Sequence, residues 1–297
     1  MNHAIELSHI TKDYGSNKGV FDVSFTVKTG EVFGFLGPNG AGKTTTIRQL
    51  LGFIHPDSGQ ALIQGMDCFS DAPKIQNQLG YLPGEIAFMD DMKGLEFIRF
   101  AAGMKGLKSL DRARDLMDRF ELDPSGKIKK MSKGMKQKIG IVCAFMADPM
   151  ILVLDEPSSG LDPLMQNRFV DLILEEKKRG KTILMSSHIF EEVERTCDRT
   201  AIIRQGRIVD IADMEKLGKN RKRIFEIFFA DPQEALAFSR EFPNCTLKGD
   251  EVCATVSSNV DRFVKLLGQY TVKDLKMRTQ TLEELFMHFY GGENHAK

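Results

Sequence analysis

The stretch that most constrains this chain is residues 31–46, which read EVFGFLGPNGAGKTTT. The apolar run Val32–Leu36 is typical of a buried strand, and the residues after the glycine-rich turn favour a helix. Glycine lets the backbone curl so tightly that successive N–H groups point inward, and the helix start adds a partial positive charge. Four residues complete the pattern G-x-x-x-x-G-K-[ST]: Gly37, Gly42, Lys43 and Thr44. This strand, loop and helix together predict a nucleoside triphosphate site.

The loop residues have separate roles in holding a triphosphate. Lys43 is long enough to reach the β- and γ-phosphates, and the Thr44 hydroxyl is a ligand for Mg²⁺. We expect nucleotide contacts from nine consecutive residues: Gly37, Pro38, Asn39, Gly40, Ala41, Gly42, Lys43, Thr44 and Thr45. A small-molecule kinase would use the same loop. The loop therefore predicts ATP and Mg²⁺ without fixing the reaction.

Composition argues against several other classes of protein. Lys+Arg and Asp+Glu both count 41, so there is no net basic field, and we expect no nucleic acid partner. The five cysteines show no C-x-x-C spacing, which favours reduced thiols in the cytosol over a disulfide framework or a zinc site. The N-terminus lacks a signal-peptide pattern, and the apolar runs are too short to span a bilayer. Any membrane role is therefore expected to come through a partner.

The order of patterns along the chain predicts an α/β fold. Residues 4–11 and 20–27 alternate apolar and polar, as antiparallel half-buried strands do. Residues 92–147 read as a block of helices. From Met150 onward, strands alternate with helices as far as Ile211, which indicates a mostly parallel sheet with helices on both faces.

The pattern restarts near Lys219, after which the chain predicts a second domain. Gly218–Arg223 reads as a basic linker, and the elements from Ile224 to Met277 follow the order β-α-β-β-α-β of the split βαβ arrangement. A last helix is predicted over Leu282–Tyr290. The expected division is a nucleotide-binding domain at 1–217, with a helical subdomain at about 85–147, and a small α+β ferredoxin-like domain at 218–297.

Two further strand ends carry candidate catalytic groups. The apolar run 151–154 leads directly into Asp155 and Glu156, and ligands collect at the carboxyl ends of parallel strands. Asp155 is placed to hold the Mg²⁺ that Thr44 also contacts, while Glu156 is placed to polarise an attacking water. His188 follows another predicted strand, where it would face a γ-phosphate.

Five motifs in a fixed order resemble the ATPase subunit of an ATP-binding-cassette (ABC) transporter. The resemblance covers residues 14 to about 215, and the tail beyond 220 is similar to the domain appended to many bacterial exporter ATPases of the multidrug and antibiotic type. It implies a cassette fold with a mixed sheet, an antiparallel β-subdomain and a helical subdomain. The motifs are GPNGAGKTT at 37–45, MSKGMKQK at 131–138, ILVLDEP at 151–157, SSGLD at 158–162 and SSH at 186–188.

The resemblance also implies roles for individual residues. Tyr14 matches the aromatic residue that stacks on adenine, although a simple turn tyrosine is the competing interpretation. Ser132, Gly134 and Met135 match the signature that contacts the γ-phosphate held by the opposite subunit. Asp162 matches the loop that connects two sites across a dimer. The resemblance makes Glu156 the catalytic base and His188 the switch histidine, beside the phosphate-binding Lys43.

Three positions depart from the family pattern. The usual glutamine after the strand near residue 80 is absent, and Gly84 stands there with Glu85 next. This puts in doubt whether residue 84 senses Mg²⁺ and the attacking water, and Glu85 is a possible substitute. In the signature, Lys133 replaces the first glycine after the serine, and Met135 replaces the common glutamine. We expect phosphate contact to survive because Ser132 and Gly134 are kept.

The resemblance predicts an ATP-hydrolysing subunit that powers transport, and export in particular, through a separate membrane permease. Two copies would sandwich two ATP molecules, and the protein would sit on the cytoplasmic face of the membrane. Permease docking is expected around Pro83–Asp91 and on the next helix. There, Ile86, Phe88 and Met89 either form the contact or pack on the helical block.

Three alternatives stay open on sequence alone. The first is a soluble cassette ATPase with a regulatory or interaction role and no transport, including one that acts on translation or DNA. Such proteins usually carry two cassettes or long coiled coils, and this chain shows neither. The second is the small-molecule kinase already mentioned, which would need neither the signature nor the Asp155–Glu156 pair. The third is an interaction protein that binds ATP without hydrolysing it, which Lys133 and Gly84 favour and Glu156 and His188 disfavour.

Overall fold

The computed structural model describes residues 3–89, 91–219, 221–256 and 260–285. The chain divides into two compact units, Met1–Met214 and Glu215–Lys297. The division lies close to the boundary expected at 217 and 218. Each unit has its own sheet and its own hydrophobic core.

The first unit is built on a six-stranded sheet and a four-stranded antiparallel sheet, with strand orders β10-β9-β3-β8-β7-β6 and β2-β1-β4-β5. Its strands are β1 His3–Asp13, β2 Gly19–Lys28, β3 Val32–Leu36, β4 Ser58–Ile63, β5 Met66–Asp67, β6 Leu79–Leu82, β7 Ile151–Asp155, β8 Thr182–Ser187, β9 Arg199–Arg204 and β10 Arg207–Asp213. Its helices are α1 Lys43–Leu50, α2 Ala72–Gln78, α3 Gly94–Met104, α4 Asp111–Arg119, α5 Lys133–Phe145, α6 Pro163–Lys178 and α7 Phe190–Thr196, and α8 Met214–Lys219 crosses the division.

The central strands of the larger sheet are parallel and wholly buried. Every residue of β3, β7 and β8 is buried, because helices or the second sheet cover both faces. Phe33 and Phe35 point into the core shared with the antiparallel sheet. Gly34 points the other way, where an added Cβ would lie 3.0 Å from Val193 Cγ1 on α7. The expected α/β cassette fold is therefore confirmed for this unit.

The block expected to be helical contains three helices, α3, α4 and α5. Several small elements were not predicted from sequence, among them α2, β5 and α8. Helix α2 has one buried residue, Ile75, and a proline near its start, so its pattern resembles that of a loop. Strand β5 is only two residues long.

Part of the loop after β6 packs against this helical block. Ile86 packs against α5 so closely that a Cβ added to Gly140 would lie 2.2 Å from its Cδ1. The Phe88 ring contacts Phe97 on α3, with centroids 4.9 Å apart. Of the three apolar residues Ile86, Phe88 and Met89, Met89 is the exposed one, with 49% of its surface accessible to solvent. Packing on the helices thus accounts for Ile86 and Phe88.

Gly80 on β6 provides a test of this packing. A Cβ added there would lie 2.2 Å from the carbonyl oxygen of Ala144, so the backbone at the C-terminal end of α5 would have to move. We expect Gly80→Ala to lower the free energy of unfolding by about 1–3 kcal/mol, measured from the denaturation midpoint in urea. Gly103→Ala is the matched control, since no atom lies within 4 Å of that added Cβ in α3, and it should stabilise by about 0.5–1 kcal/mol. Equal effects of the two substitutions would contradict the packing described.

The second unit contains a four-stranded antiparallel sheet of order β12-β13-β11-β14. Its elements are β11 Arg223–Phe229, α9 Pro232–Glu241, β12 Cys245–Lys248, β13 Glu251–Val256, α10 Val260–Leu267 and β14 Val272–Thr279. Phe225 and Phe229 of β11 lie in its core with Phe238 and Phe263. Most of the predicted last helix, Leu282–Tyr290, lies outside the described residues.

The five cysteines are free thiols. Among the described residues, no helix is both long and apolar enough to cross a bilayer.

Candidate functional site

The phosphate loop leaves the end of β3 and enters α1 at Lys43. Gly40 and Gly42 have φ of +80° and +112°, a region that side chains disfavour. At Gly37 the reason for glycine is contact, because an added Cβ would lie 2.5 Å from the carbonyl oxygen of Ile203. The sequence therefore forms this turn because three glycines permit it. The result is a cradle of backbone N–H groups at a helix N-terminus, which suits an anion.

Lys43 is buried beneath the loop, with 5% of its surface exposed. Its Nζ donates to the carbonyl oxygens of Gly37 at 2.6 Å and Pro38 at 3.2 Å. The same Nζ lies 3.0 Å from Glu156 Oε1 as an ion pair. The structure thus brings the lysine that is predicted to bind phosphate to the predicted base.

Thr44, in the first turn of α1, contacts Asp155, the last residue of β7. Thr44 Oγ1 donates to Asp155 Oδ2 at 2.7 Å, and Asp155 is fully buried. Ser186 Oγ donates to the other carboxylate oxygen, Oδ1, at 2.5 Å. A hydroxyl and a buried carboxylate side by side are oxygen donors of the kind that Mg²⁺ takes from proteins, so these residues fit the ion.

Glu156 sits in a strained turn that several neighbours hold in place. Its φ is +49°, the left-handed region that a non-glycine residue rarely adopts. Its N–H donates to Ser186 Oγ at 3.0 Å, and its Oε2 lies 2.6 Å from His188 Nδ1. From α5, Gln137 Nε2 donates to the carbonyl oxygen of Pro157 at 2.8 Å. Glu156 and His188 therefore form a hydrogen-bonded pair at the edge of the sheet.

Two adjoining clefts open at this edge, with volumes of about 450 and 520 Å³. Lys43 lines the first cleft, while Asp155 and His188 line the second; Thr44 and Glu156 line both. Tyr14 lies at the rim of the first with 53% of its surface exposed, as an aromatic platform would. The first is lined by Tyr14, Asn17, Lys18, Gly19, Asn39, Gly40, Gly42, Lys43, Thr44, Thr45, Glu156, Gln205 and Gly206. The second is lined by Asn39, Thr44, Arg48, Tyr81, Pro83, Gly84, Glu85, Lys133, Asp155, Glu156, Ser159 and His188.

Seven predicted site residues line neither cleft: Gly37, Pro38 and Ala41 within the phosphate loop, and Ser132, Gly134, Met135 and Asp162 outside it. In this chain two of them cap helices. Ser132 Oγ accepts from the Met135 N–H at 3.2 Å at the start of α5, and Asp162 Oδ1 accepts from Met165 N–H at 3.0 Å at the start of α6. The two helix starts are neighbours, because a Cβ on Gly134 would lie 2.7 Å from the carbonyl oxygen of Gly160.

Two of the three departures from the family pattern, Gly84 and Lys133, lie in the second cleft. Gly84 approaches Asp155 closely, and an added Cβ would lie 3.3 Å from Asp155 Oδ2. Glu85 lines the same cleft with an exposed side chain. Lys133 crosses Gly160, and its Nζ donates to Ser159 Oγ at 3.0 Å. Burial, together with the charge of Asp155, raises the pKa of Tyr81 in this cleft to about 12, so its hydroxyl stays protonated.

Sequence reasoning assigned no role to three residues that support the site: Ser186, Gln137 and Glu192. Ser186 had a usable signal, because it ends the strand beside β7 and pairs in register with Asp155. Gln137 and Glu192 had none, because an amide on a helix and one acid in an acidic helix look like surface residues. Both are buried here.

Comparisons with known proteins support the nucleotide-binding function that the geometry of the site indicates. The family model described as ABC transporter matches residues 20–159. The bacitracin transport ATP-binding protein BcrA of Bacillus licheniformis is 32% identical, over 98% of this chain and 99% of that protein. The Nod factor export ATP-binding protein I of Rhizobium meliloti is 33% identical, over 98% of this chain and 89% of that protein.

Solved structures share the fold. The structure of an ATP-binding subunit of an ABC transporter matches with a TM-score of 0.66 and 30% identity, covering 89% of this chain and 99% of that chain. A dimeric ATP-binding cassette in a post-hydrolysis state, bound to ADP and phosphate, matches with a TM-score of 0.64 at 21% identity. It covers 71% of this chain and 98% of that chain.

Proposed function

Because this chain belongs to the ABC transporter family, as an ATP-binding and ATP-hydrolysing subunit, we propose that two copies of it drive export through a separate membrane-spanning permease. The observation that carries the ATPase chemistry is the juxtaposition of Lys43, Asp155, Glu156 and His188 within the two adjoining clefts. Export is supported by the relatives, whose printed names include bacitracin transport and Nod factor export.

ATP binding would rearrange the charges that the structure shows. Both oxygens of Glu156 are engaged, one with Lys43 and one with His188. When the terminal phosphates of ATP take these two partners, the carboxylate is released to face a water molecule. Glu156 then accepts the proton of that water as the water oxygen attacks the γ-phosphorus. The bond from the γ-phosphorus to the oxygen that bridges to the β-phosphate breaks, so ADP and phosphate are the products, while Lys43 and His188 stabilise charge on the phosphate oxygens.

Mg²⁺ would be held by Thr44 and Asp155, with Ser186 fixing the carboxylate from behind. When bound, the ion supplies positive charge beside the phosphates. The deep burial of Asp155 keeps this ligand from reorienting in solvent.

A second copy would complete each site. Ser132, Gly134 and Met135 line neither cleft of their own chain, so their proposed γ-phosphate contact is to the partner's ATP. Gly160, two residues before Asp162, packs against Gly134 at the start of α5. This contact supports a link between the two sites that runs beside the signature. Tyr14 would stack on the adenine at the open rim. The domains of this subunit are proposed to be 1–217 and 218–297.

The proposed permease contact lies on the helical block. α3 exposes Phe100 and Met104, at 45% and 73%, and Met89 in the preceding loop is exposed at 49%. These apolar side chains are candidates for a protein interface. The subunit would then be peripheral on the cytoplasmic face of the membrane.

The test is to extract the tagged full-length protein from native membranes in mild detergent and identify what copurifies. We expect a polytopic membrane protein in stoichiometric amount. Phe100→Glu/Met104→Glu places two carboxylates at the docking surface and should weaken the contact about 10²- to 10⁴-fold, because each of the two apolar side chains contributes about 1.5–3 kcal/mol when buried.

Met150→Glu is the matched control, since Met150 is 55% exposed but follows α5 and lies outside α3 and the loop before it. It should copurify with the permease as the unaltered protein does. A tagged protein that brings down only soluble partners and is absent from the membrane fraction would instead indicate a cytosolic cassette ATPase.

A further inference from the structure

One buried acid near the site has no role in the chemistry above. Glu192 lies in α7 with 6% of its surface exposed. Its Oε2 accepts from two hydroxyls, Ser187 Oγ at 2.8 Å and Ser158 Oγ at 3.1 Å. Its Oε1 is buried and has no hydrogen-bond partner. A buried, half-satisfied carboxyl is costly, so its presence calls for an explanation other than stability.

The two serines belong to the two turns that carry the catalytic pair. Ser158 is two residues after Glu156, and Ser187 immediately precedes His188. The turns are therefore joined twice. One link is the exposed contact between Glu156 and His188, at 2.6 Å, and the other is the buried pair of bonds to Glu192.

ATP binding is expected to open the outer link and to leave the inner link in place. In the proposed mechanism the outer link opens as ATP binds, because His188, which is 46% exposed, turns from Glu156 to a phosphate. The inner link lies out of solvent, and in the described part of the chain its side-chain bonds involve none of the residues proposed to hold ATP or Mg²⁺. The inner link meets the phosphate loop through the backbone oxygen of Ser187, which accepts from the Gly37 N–H at 3.3 Å. It can therefore keep the two turns in register while the outer link is open.

From this closed arrangement we infer that Glu192 is a positioning residue: its carboxyl holds the turn of Glu156 to the turn of His188 and keeps the two side chains aligned for ATP hydrolysis. The inference rests on the hydrolysis assigned to this chain. It predicts an effect on turnover with little effect on ATP binding, because Glu192 contacts neither the phosphate loop nor Tyr14.

Charge around Glu192 gives a second readout. Burial and the nearby Glu156 raise the pKa of Glu192 to about 7, while its two serine bonds and His188 oppose the shift. Glu191 and Arg195 of α7 line the cavity next to it, and Cys197 lies one turn further on. Below pH of about 7 the carboxyl is protonated, and its bonds from the serines weaken because they are no longer charge-assisted.

The experiment compares variants of the full-length protein in the complex extracted from membranes. Glu192→Ala should lower kcat about 10- to 100-fold and leave the KM for ATP within about twofold, as expected for loss of alignment. Glu192→Gln keeps an oxygen that can accept from both serines, so it should restore kcat to within about fivefold. Ser158→Ala/Ser187→Ala removes both donors and should reproduce the alanine variant. Glu191→Gln, an exposed neighbour on the same helix, is the control.

The pH profile separates positioning from general damage to the fold. In the unaltered protein, kcat should fall as pH drops through about 7 more steeply than in Glu192→Gln, which cannot ionise. A folded Glu192→Ala protein with unchanged kcat would overturn the inference, and so would a KM that rises as much as kcat falls. If Glu192→Ala does not fold, an unchanged kcat in the double serine variant overturns it. Absence of ATPase activity in the unaltered complex would instead be a failure of the proposed function.

Discussion

Glu156→Gln should reduce steady ATP hydrolysis by the assembled complex about 10²- to 10⁴-fold, the range for loss of a general base. The amide has the size of the carboxylate and keeps an oxygen for the neighbouring cations, but it cannot accept a proton from water. The same substitution removes the negative charge that faces Lys43 at 3.0 Å, so ATP should bind at least as tightly as before. The measurement is turnover at saturating ATP, with the affinity for ATP determined separately.

Retained binding is the internal control in that experiment, because a misfolded variant would lose both properties. Glu175→Gln is a matched substitution outside the site, since Glu175 is an exposed acid that pairs with Arg119. It should hydrolyse ATP at the normal rate. Unchanged turnover in Glu156→Gln would mean that another group accepts the proton, and Glu85 in the same cleft would be the next residue to test.

Lys43→Met should produce the largest loss of ATP binding of any single substitution in the loop that keeps its backbone intact. Methionine fills most of the buried volume but has no charge and no N–H donors. One charge-assisted bond contributes about 1.5–3 kcal/mol, so the affinity should fall at least about 10- to 100-fold. Equilibrium binding of ATP to the full-length protein measures this directly.

A second consequence of Lys43→Met concerns the nucleotide-free protein. Glu156 Oε1 loses the ammonium group that lies 3.0 Å away, and the Gly37 and Pro38 carbonyl oxygens lose their donor. Lys74→Met removes an equal charge from the exposed α2, where Lys74 pairs only with its neighbour Asp71 among the ion pairs described, and should leave affinity within about twofold. ATP affinity in Lys43→Met that matches this control would show that Lys43 does not bind phosphate.

The fold of the first unit was largely readable from sequence because its central strands β3, β7 and β8 are short, buried and mostly apolar. Predicted site residues lie at the carboxyl end of each: Gly37 follows β3, Asp155 ends β7 and His188 follows β8. The phosphate loop was equally readable, since three glycines at fixed spacing have a backbone explanation. Contacts with the nucleotide and the roles of Ser132 and Asp162 stay predictions, because they concern atoms of ATP or of a second chain.

The sequence pattern did not predict which buried side chains hold the turns of the site in place. Gln137 reaches from α5 to the Pro157 carbonyl, and Glu192 reaches from α7 to two serines. Each is polar, in a helix whose polar face is expected to meet solvent. Their inward orientation depends on how α5 and α7 dock on the sheet, which local pattern does not encode. The same limit applies to Ile86 and Phe88, whose packing became clear only from the helices beside them.

The left-handed backbone of Glu156 has a consequence for how this protein can be improved or degraded by mutation. Glycine and asparagine adopt a φ of +49° more easily than glutamate does, and such strain costs on the order of 1–3 kcal/mol. Selection for thermal stability alone would therefore favour replacing Glu156, the proposed base. The catalytic turn is a point at which stability and activity oppose one another, and a library screened only for heat resistance would accumulate inactive proteins there.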